Sequence, residues 1–128
     1  MGQQQLLLVI LGTIIVGIAI TVGLAIFKAN AVESSRTAMI NDLGYFAMRA
    51  RQMYYKPKNL GGIDRDFRGI TLNMLTRLSE NENGRYYIES SSKDSIVLVG
   101  VGRIVVHDDS IRIRMIVNEA TDRIEIIN

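Results

Sequence analysis

The side chains able to do chemistry are few in this sequence, and their spacing fits no catalytic centre. A single histidine, His107, stands beside Asp108 and Asp109. An imidazole with two carboxylates is a ligand set for a metal ion, but His107-Asp108-Asp109-Ser110 is equally the composition of a turn between two strands. Asp64-Arg65-Asp66-Phe67-Arg68-Gly69 follows the opening of a calcium loop, with carboxylates at its first and third positions. An arginine at the fifth position and Leu75 at the twelfth, where a bidentate glutamate is needed, favour a solvated loop instead. Gly100-Val101-Gly102 lacks the remaining glycine of a dinucleotide fingerprint and precedes strand-type residues. The lack of cysteine removes disulfides, thiol nucleophiles, thiolate zinc sites and haem attachment through a C-x-x-C-H motif. No nucleophile motif or P-loop is present. The expectation is a chain that is not an enzyme, with no catalytic residue, no metal and no cofactor.

The chemistry that dominates is apolar. An uninterrupted run from Leu6 to Phe27 reads LLLVILGTIIVGIAITVGLAIF, with Thr13 and Thr21 as its only polar side chains. As a helix it measures roughly 33 Å, enough to cross the hydrocarbon of a bilayer. The net charge of +2 comes from 15 basic residues interspersed with 13 acidic ones, which gives no footprint for nucleic acid. Three readings compete for the apolar run. A secretory signal peptide has Ala29-Asn30-Ala31 as a cleavage site, but Met-Gly-Gln-Gln-Gln supplies no basic n-region and the core is too long. A single-pass anchor is the second reading. The third is a subunit whose apolar helix enters a membrane first and the core of a helical filament later.

The next stretch favours the third. Between Lys28 and Tyr55 there is no proline, and apolar residues fall at Val32, Met39, Leu43, Phe46, Ala50 and Met53. Those spacings of 7, 4, 3, 4 and 3 make a helical stripe, flanked by Ile40, Ala47 and Tyr54, with Glu33, Arg36, Asn41, Asp42, Arg49 and Arg51 between. Pro57 ends the pattern, because the residue before a proline is pushed out of the α region. One helix from about residue 3 to residue 55 is expected, roughly 80 Å long, and a head of some 70 residues cannot cover it. Residues Leu6, Ile10, Ile14, Ile15, Ile18, Leu24 and Phe27 must then find partners elsewhere. Met39, Leu43, Phe46, Ala50 and Met53 are expected to pack on the head. Gly12, Gly17 and Gly23 lack the GxxxG spacing; each lowers helix stability by about 1 kcal/mol relative to Ala, or is ordinary glycine of a membrane helix.

After a loop at Lys56–Arg65, Phe67–Leu78 reads as a short amphipathic helix or turn-rich segment, and Ser79–Gly84 as a polar turn. Four strands are predicted at Arg85–Ser90, Ser95–Val106, Ile111–Val117 and Arg123–Ile127, with a bend or bulge at Gly100 and Gly102. Consecutive short strands with tight turns form an antiparallel meander. The expected fold class is α+β: a long N-terminal α-helix, apolar in its first half, packed by its C-terminal half on a small antiparallel β-sheet. Three stretches are expected: 1-27 as the membrane or filament-core segment, 28-55 as its amphipathic continuation, and 56-128 as a loop, short helix and antiparallel sheet forming the globular head.

This order of elements resembles the type IV pilins and their pseudopilin relatives. The resemblance implies a prepilin peptidase that cuts after a glycine, N-methylation of the new N-terminus, and a glutamate at mature position five that neutralises a neighbour's N-terminus. With Met1 as the mature N-terminus, Gln5 holds that position, a neutral group that hydrogen-bonds but forms no ion pair. With Gly2 as the glycine before the cut, Gln3 leads and Leu7 falls fifth. Met1 is the preferred start, because it keeps a polar group in place. Members of the family often carry a proline in the apolar segment and a disulfide in the head; this chain has neither. Lys28 follows the run with no basic residue before it, which by a positive-inside count places the head in the cytoplasm. The resemblance implies a homo-oligomeric filament, an inner-membrane precursor, an extracellular or periplasmic product and partners in the assembly machinery. The alternative is a bitopic membrane protein whose head is an interaction module.

Overall fold

A computed structural model describes residues 2–127. A single helix, α1, covers Gly2–Tyr55. By packing, the chain divides into two compact units, the first ending at Glu33 and the second beginning at Ser34. The described residues of the first unit are all helix. Its apolar window has a mean hydropathy of 2.8, none of it is buried, and it is long and apolar enough to cross a membrane.

The second unit is an α+β head, with the C-terminal half of α1 packed on a four-stranded antiparallel sheet. Its strands are β1 (Gly84–Ser91), β2 (Ser95–Val106), β3 (Asp109–Asn118) and β4 (Asp122–Ile126), in spatial order β1-β2-β3-β4. The meander follows from its turns. His107 and Asp108 form a two-residue hairpin between β2 and β3, with φ of 51° and 65°. Positive φ at both central residues is what a type I′ hairpin requires, and it matches the twist of the flanking strands. The polar run His107–Ser110 is therefore a tighter turn than expected, since Asp109 and Ser110 already pair with Val106 and Val105. Irregular register lies between Val101 and Val105 on β2, a stretch that contains Gly102, and between Ile88 and Ser90 on β1.

Met39, Leu43, Phe46, Ala47, Ala50 and Tyr54 bring one face of α1 into the core. Ile96, Leu98, Ile111, Ile113, Met115 and Val117 meet them from the sheet. Phe46 stacks edge-on against Tyr86 at 5.0 Å between ring centroids. Met53, expected in this set, is only half-buried, and Tyr54 takes its place at the core. The reason is geometric: a straight helix drifts about 20° per heptad from a 3.5-residue repeat. Over the two heptads from Met39 the drift is about 40°, which turns Met53 to the edge of the inward face and leaves Tyr54 nearer its centre. Leu78 is likewise exposed, because Phe67–Leu78 is not one amphipathic helix. It holds a 3₁₀ turn at Phe67–Gly69 and a single α turn, α2 (Leu72–Leu75), whose buried anchors are Phe67, Ile70 and Leu75.

Candidate assembly surface

The sequence-predicted filament-core residues Leu6, Ile10, Ile14, Ile15, Ile18, Leu24 and Phe27 all lie on α1, and each is more than half exposed. At 100° per residue they leave one sector open, which the equally exposed Leu8, Val16 and Ile26 fill, so this cylinder has no polar side to turn to water. The two hydroxyls do not interrupt it. Thr13 Oγ1 donates to the Val9 carbonyl and Thr21 Oγ1 to the Ile18 carbonyl, both at 2.8 Å. Every polar side chain of the run is thus satisfied within the helix, which is the condition for entering an oil-like medium. Whatever covers this surface must be apolar on all sides.

At the start of α1, Gly2 is helical and Gln5 is exposed. No acidic residue occupies the first turn, which carries the neutral Gln3, Gln4 and Gln5 where the helix dipole is positive. Met1, the expected mature N-terminus, lies outside the described residues.

The head is fastened to α1 by polar ties at the borders of the apolar stripe. The Asp42 carboxylate accepts from the Tyr86 hydroxyl at 2.5 Å and from the side-chain amides of Asn81 and Asn83 at 3.0 and 2.9 Å. Partial burial disfavours the charged carboxylate, but these donors, Tyr86 foremost, together outweigh it and hold the Asp42 pKa below its usual value. Burial and then the same contact push the Tyr86 phenol well above its ordinary range. Near the end of α1, Tyr54 donates to Glu119 at 2.9 Å, which raises its pKa, and Arg51 pairs with Asp122 at the start of β4. The last turn of α1 is closed by the following loop: Ile63, Arg65 and Asp64 donate backbone N–H groups to the carbonyls of Met53, Tyr54 and Lys56.

That loop contains the segment with calcium-like spacing, and its chemistry is taken up internally. Both Asp66 oxygens accept from the Arg68 guanidinium, and one also accepts from the Arg68 backbone N–H. Those bonds hold the Asp66 carboxyl at about 2. The cation facing this carboxylate is an arginine of the same turn. Among the described residues, no three His, Cys, Asp or Glu side chains come together as a metal site, and His107 sits exposed at a hairpin tip.

Sequence reasoning placed the apolar cylinder and most of the helix face that packs on the head. It missed the Asp42 node, whose members lie 39 to 44 residues apart and share no periodicity. It also missed the exposure of Ile124 and Ile126 on β4, because alternation names a face without saying whether the helix reaches it. Compared with known proteins, the chain matches no family model, no curated protein and no solved structure.

Proposed function

We propose that this chain is a pilin-like structural subunit of a helical cell-surface or periplasm-spanning filament, held in the inner membrane before assembly. One observation carries the reading. The helix that supplies one wall of the head core is the same unbroken element, Gly2–Tyr55, that begins as an all-round apolar cylinder. A simple anchor needs only a span and a linker to its head. Here the span passes into the head's own core helix with no proline or loop between them. In a filament, such helices would bundle into a dry core once they leave the lipid, and each head would contribute to the outer surface. Assembly is the whole of the proposed work, and no step in it calls for catalysis by this chain. The machinery that extracts and processes the subunit, a prepilin peptidase included, would act on its N-terminal residues.

Mechanical shearing of producing cells tests the proposal. The expected result is this chain in the sheared supernatant, as filaments visible by electron microscopy. Complete retention in the membrane fraction would overturn the proposal in favour of a bitopic protein with an interaction head.

A further inference from the structure

We propose that β4 is a docking edge for a second copy of this chain, which pairs with it as an antiparallel strand related by a two-fold axis at Ile124. The two edges of the sheet are not equivalent. The outer edge of β1 is partly occupied by Ser79–Asn81: Tyr86 donates its N–H to the Ser79 carbonyl at 2.8 Å, Asn81 donates to Gly84 at 3.0 Å, and Glu80 bridges Arg85. No described residue pairs with the outer edge of β4. With β1 obstructed, the edge that β4 of one copy meets on another copy is β4 itself. Such a contact is isologous and closes at two.

The backbone fixes which residues take part. Ile127 donates its N–H to the Arg112 carbonyl at 3.0 Å, and Asn118 donates to Thr121 at 2.9 Å. In an antiparallel ladder the inward and outward groups alternate, so Thr121, Arg123, Glu125 and Ile127 turn theirs towards β3. Asp122, Ile124 and Ile126 turn their N–H and C=O groups outward. A pair centred on Ile124 sets every outward-facing residue opposite another: Ile124 with its counterpart, and Asp122 with Ile126 on both sides. Three such pairs form about six N–H···O=C bonds.

Charge selects this register from its neighbours. Centring on Ile124 sets Arg123 of each copy opposite Glu125 of the other. Centring on Arg123 sets arginine against arginine, and centring on Glu125 sets glutamate against glutamate. Opposite charges directly across a sheet stabilise, and like charges destabilise. The apolar contribution agrees. Ile124 and Ile126 lie opposite the buried Met115 and Ile113, on the helix-side face, yet remain 45% and 54% exposed. The two-fold pairing brings the Ile124 side chains together at its centre.

This inference goes beyond the filament reading and does not rest on it. A two-fold contact cannot repeat between successive subunits of a polar helix, so it joins copies outside that lattice, in the membrane pool or from filament to filament. Because the chain has no cysteine, single replacements report the contact directly. Full-length Ile124→Cys in detergent, under mild oxidation, is expected to form a disulfide-linked dimer, since directly opposed Cα atoms at about 5.5 Å suit that bond. Arg123→Cys alone should cross-link at least about fivefold less, its own counterpart being a diagonal neighbour roughly 7–8 Å away. Arg123→Cys mixed with Glu125→Cys should cross-link efficiently. Association of the apolar helices in the micelle does not discriminate between adjacent positions on β4, so equal yields at 124 and 123, or no dimer at either, would overturn the proposal. In the Ile124→Cys background, Arg123→Glu should cut the yield roughly fivefold to tenfold, and adding Glu125→Gln, which removes the like charge without setting an arginine against Arg114 on β3, should recover most of it. Failure of that restoration would overturn the assigned register.

Discussion

Residues 2–33 and 34–55 belong to one helix and answer to different solvents. In the first stretch large apolar side chains occupy every face, and none is buried. In the second the buried ones gather on one face, packed against the sheet, while Tyr45, Met48 and Tyr55 stay exposed away from it; Asp42 and Arg51 mark the borders of the buried face with ties to the head. The same backbone geometry therefore serves two kinds of packing. The stripe is completed within the chain, while the cylinder can be completed only by lipid or by other apolar helices. A substitution should show its effect in whichever partner completes the packing.

The largest contrast comes from charge. Ile15→Asp or Ile18→Asp should abolish filaments and lower membrane abundance, at an insertion cost of about 2.5–3.5 kcal/mol, while head stability stays unchanged. Normal filaments carrying either charge would break the comparison at its apolar end. In the second stretch the loss falls on the head. Residues 28–128, produced without the apolar run, should be folded by circular dichroism. In that fragment Leu43→Ala should cost about 2–5 kcal/mol in denaturant unfolding, as a fully buried leucine leaves a cavity. An unfolded fragment would show that the stripe is not completed by the head.

A smaller effect is expected at the border of the stripe. Asp42→Ala strands the buried Tyr86 hydroxyl and two amides, at about 1–3 kcal/mol. The pH dependence follows from linkage. Because the folded state lowers the Asp42 pKa, its stabilisation is present above the ordinary carboxylate value of 3.8 and lost as pH falls through the lowered one. Unfolding of the same fragment followed by tyrosine fluorescence between neutral and acid pH should show a steeper acid loss in the parent than in Asp42→Ala. Equal slopes would remove Asp42 from the account. Gln5 offers the finest test. Gln5→Glu places a carboxylate at the positive end of the α1 dipole, worth about 0.3–1 kcal/mol, and should leave filament yield equal or higher. Gln5→Leu removes an acceptor there and should reduce the yield. A yield unchanged by Gln5→Leu would show that the first turn needs no polar partner.

The parts of the fold that could be read from sequence were those governed by local rules. Pro57 stopped the helix where expected, and β2 has the bounds that its β-branched run implied, Ser95–Val106. The loss of Met53 to Tyr54 came from counting heptads on a straight helix. Phe67–Leu78 had helical spacing but broke into two short turns, because Phe67 donates its N–H to the Lys93 carbonyl and Asp66 ties up Arg68. Those are contacts to another segment and within a turn, which periodicity does not see. The apolar cylinder was wholly visible as a composition. The polar ties and the uncovered strip on β4 depend on which strand ends beneath the helix, and that is settled only in three dimensions.

The glycines of β2 have a mechanical consequence. A Cβ on Gly100 would come within 2.9 Å of the Tyr86 ring and 3.1 Å of Met39 Cε, and one on Gly102 within 2.9 Å of Met39 Sδ. Met39 therefore occupies a notch in the sheet that exists only because two side chains are missing. Sliding the helix by one turn would bring Leu43 or Ser35 to the notch, a branched side chain or one too short to fill it. Met39 thus sits as a detent against sliding: any axial shift of the second half of α1 has to lift this side chain out of the notch.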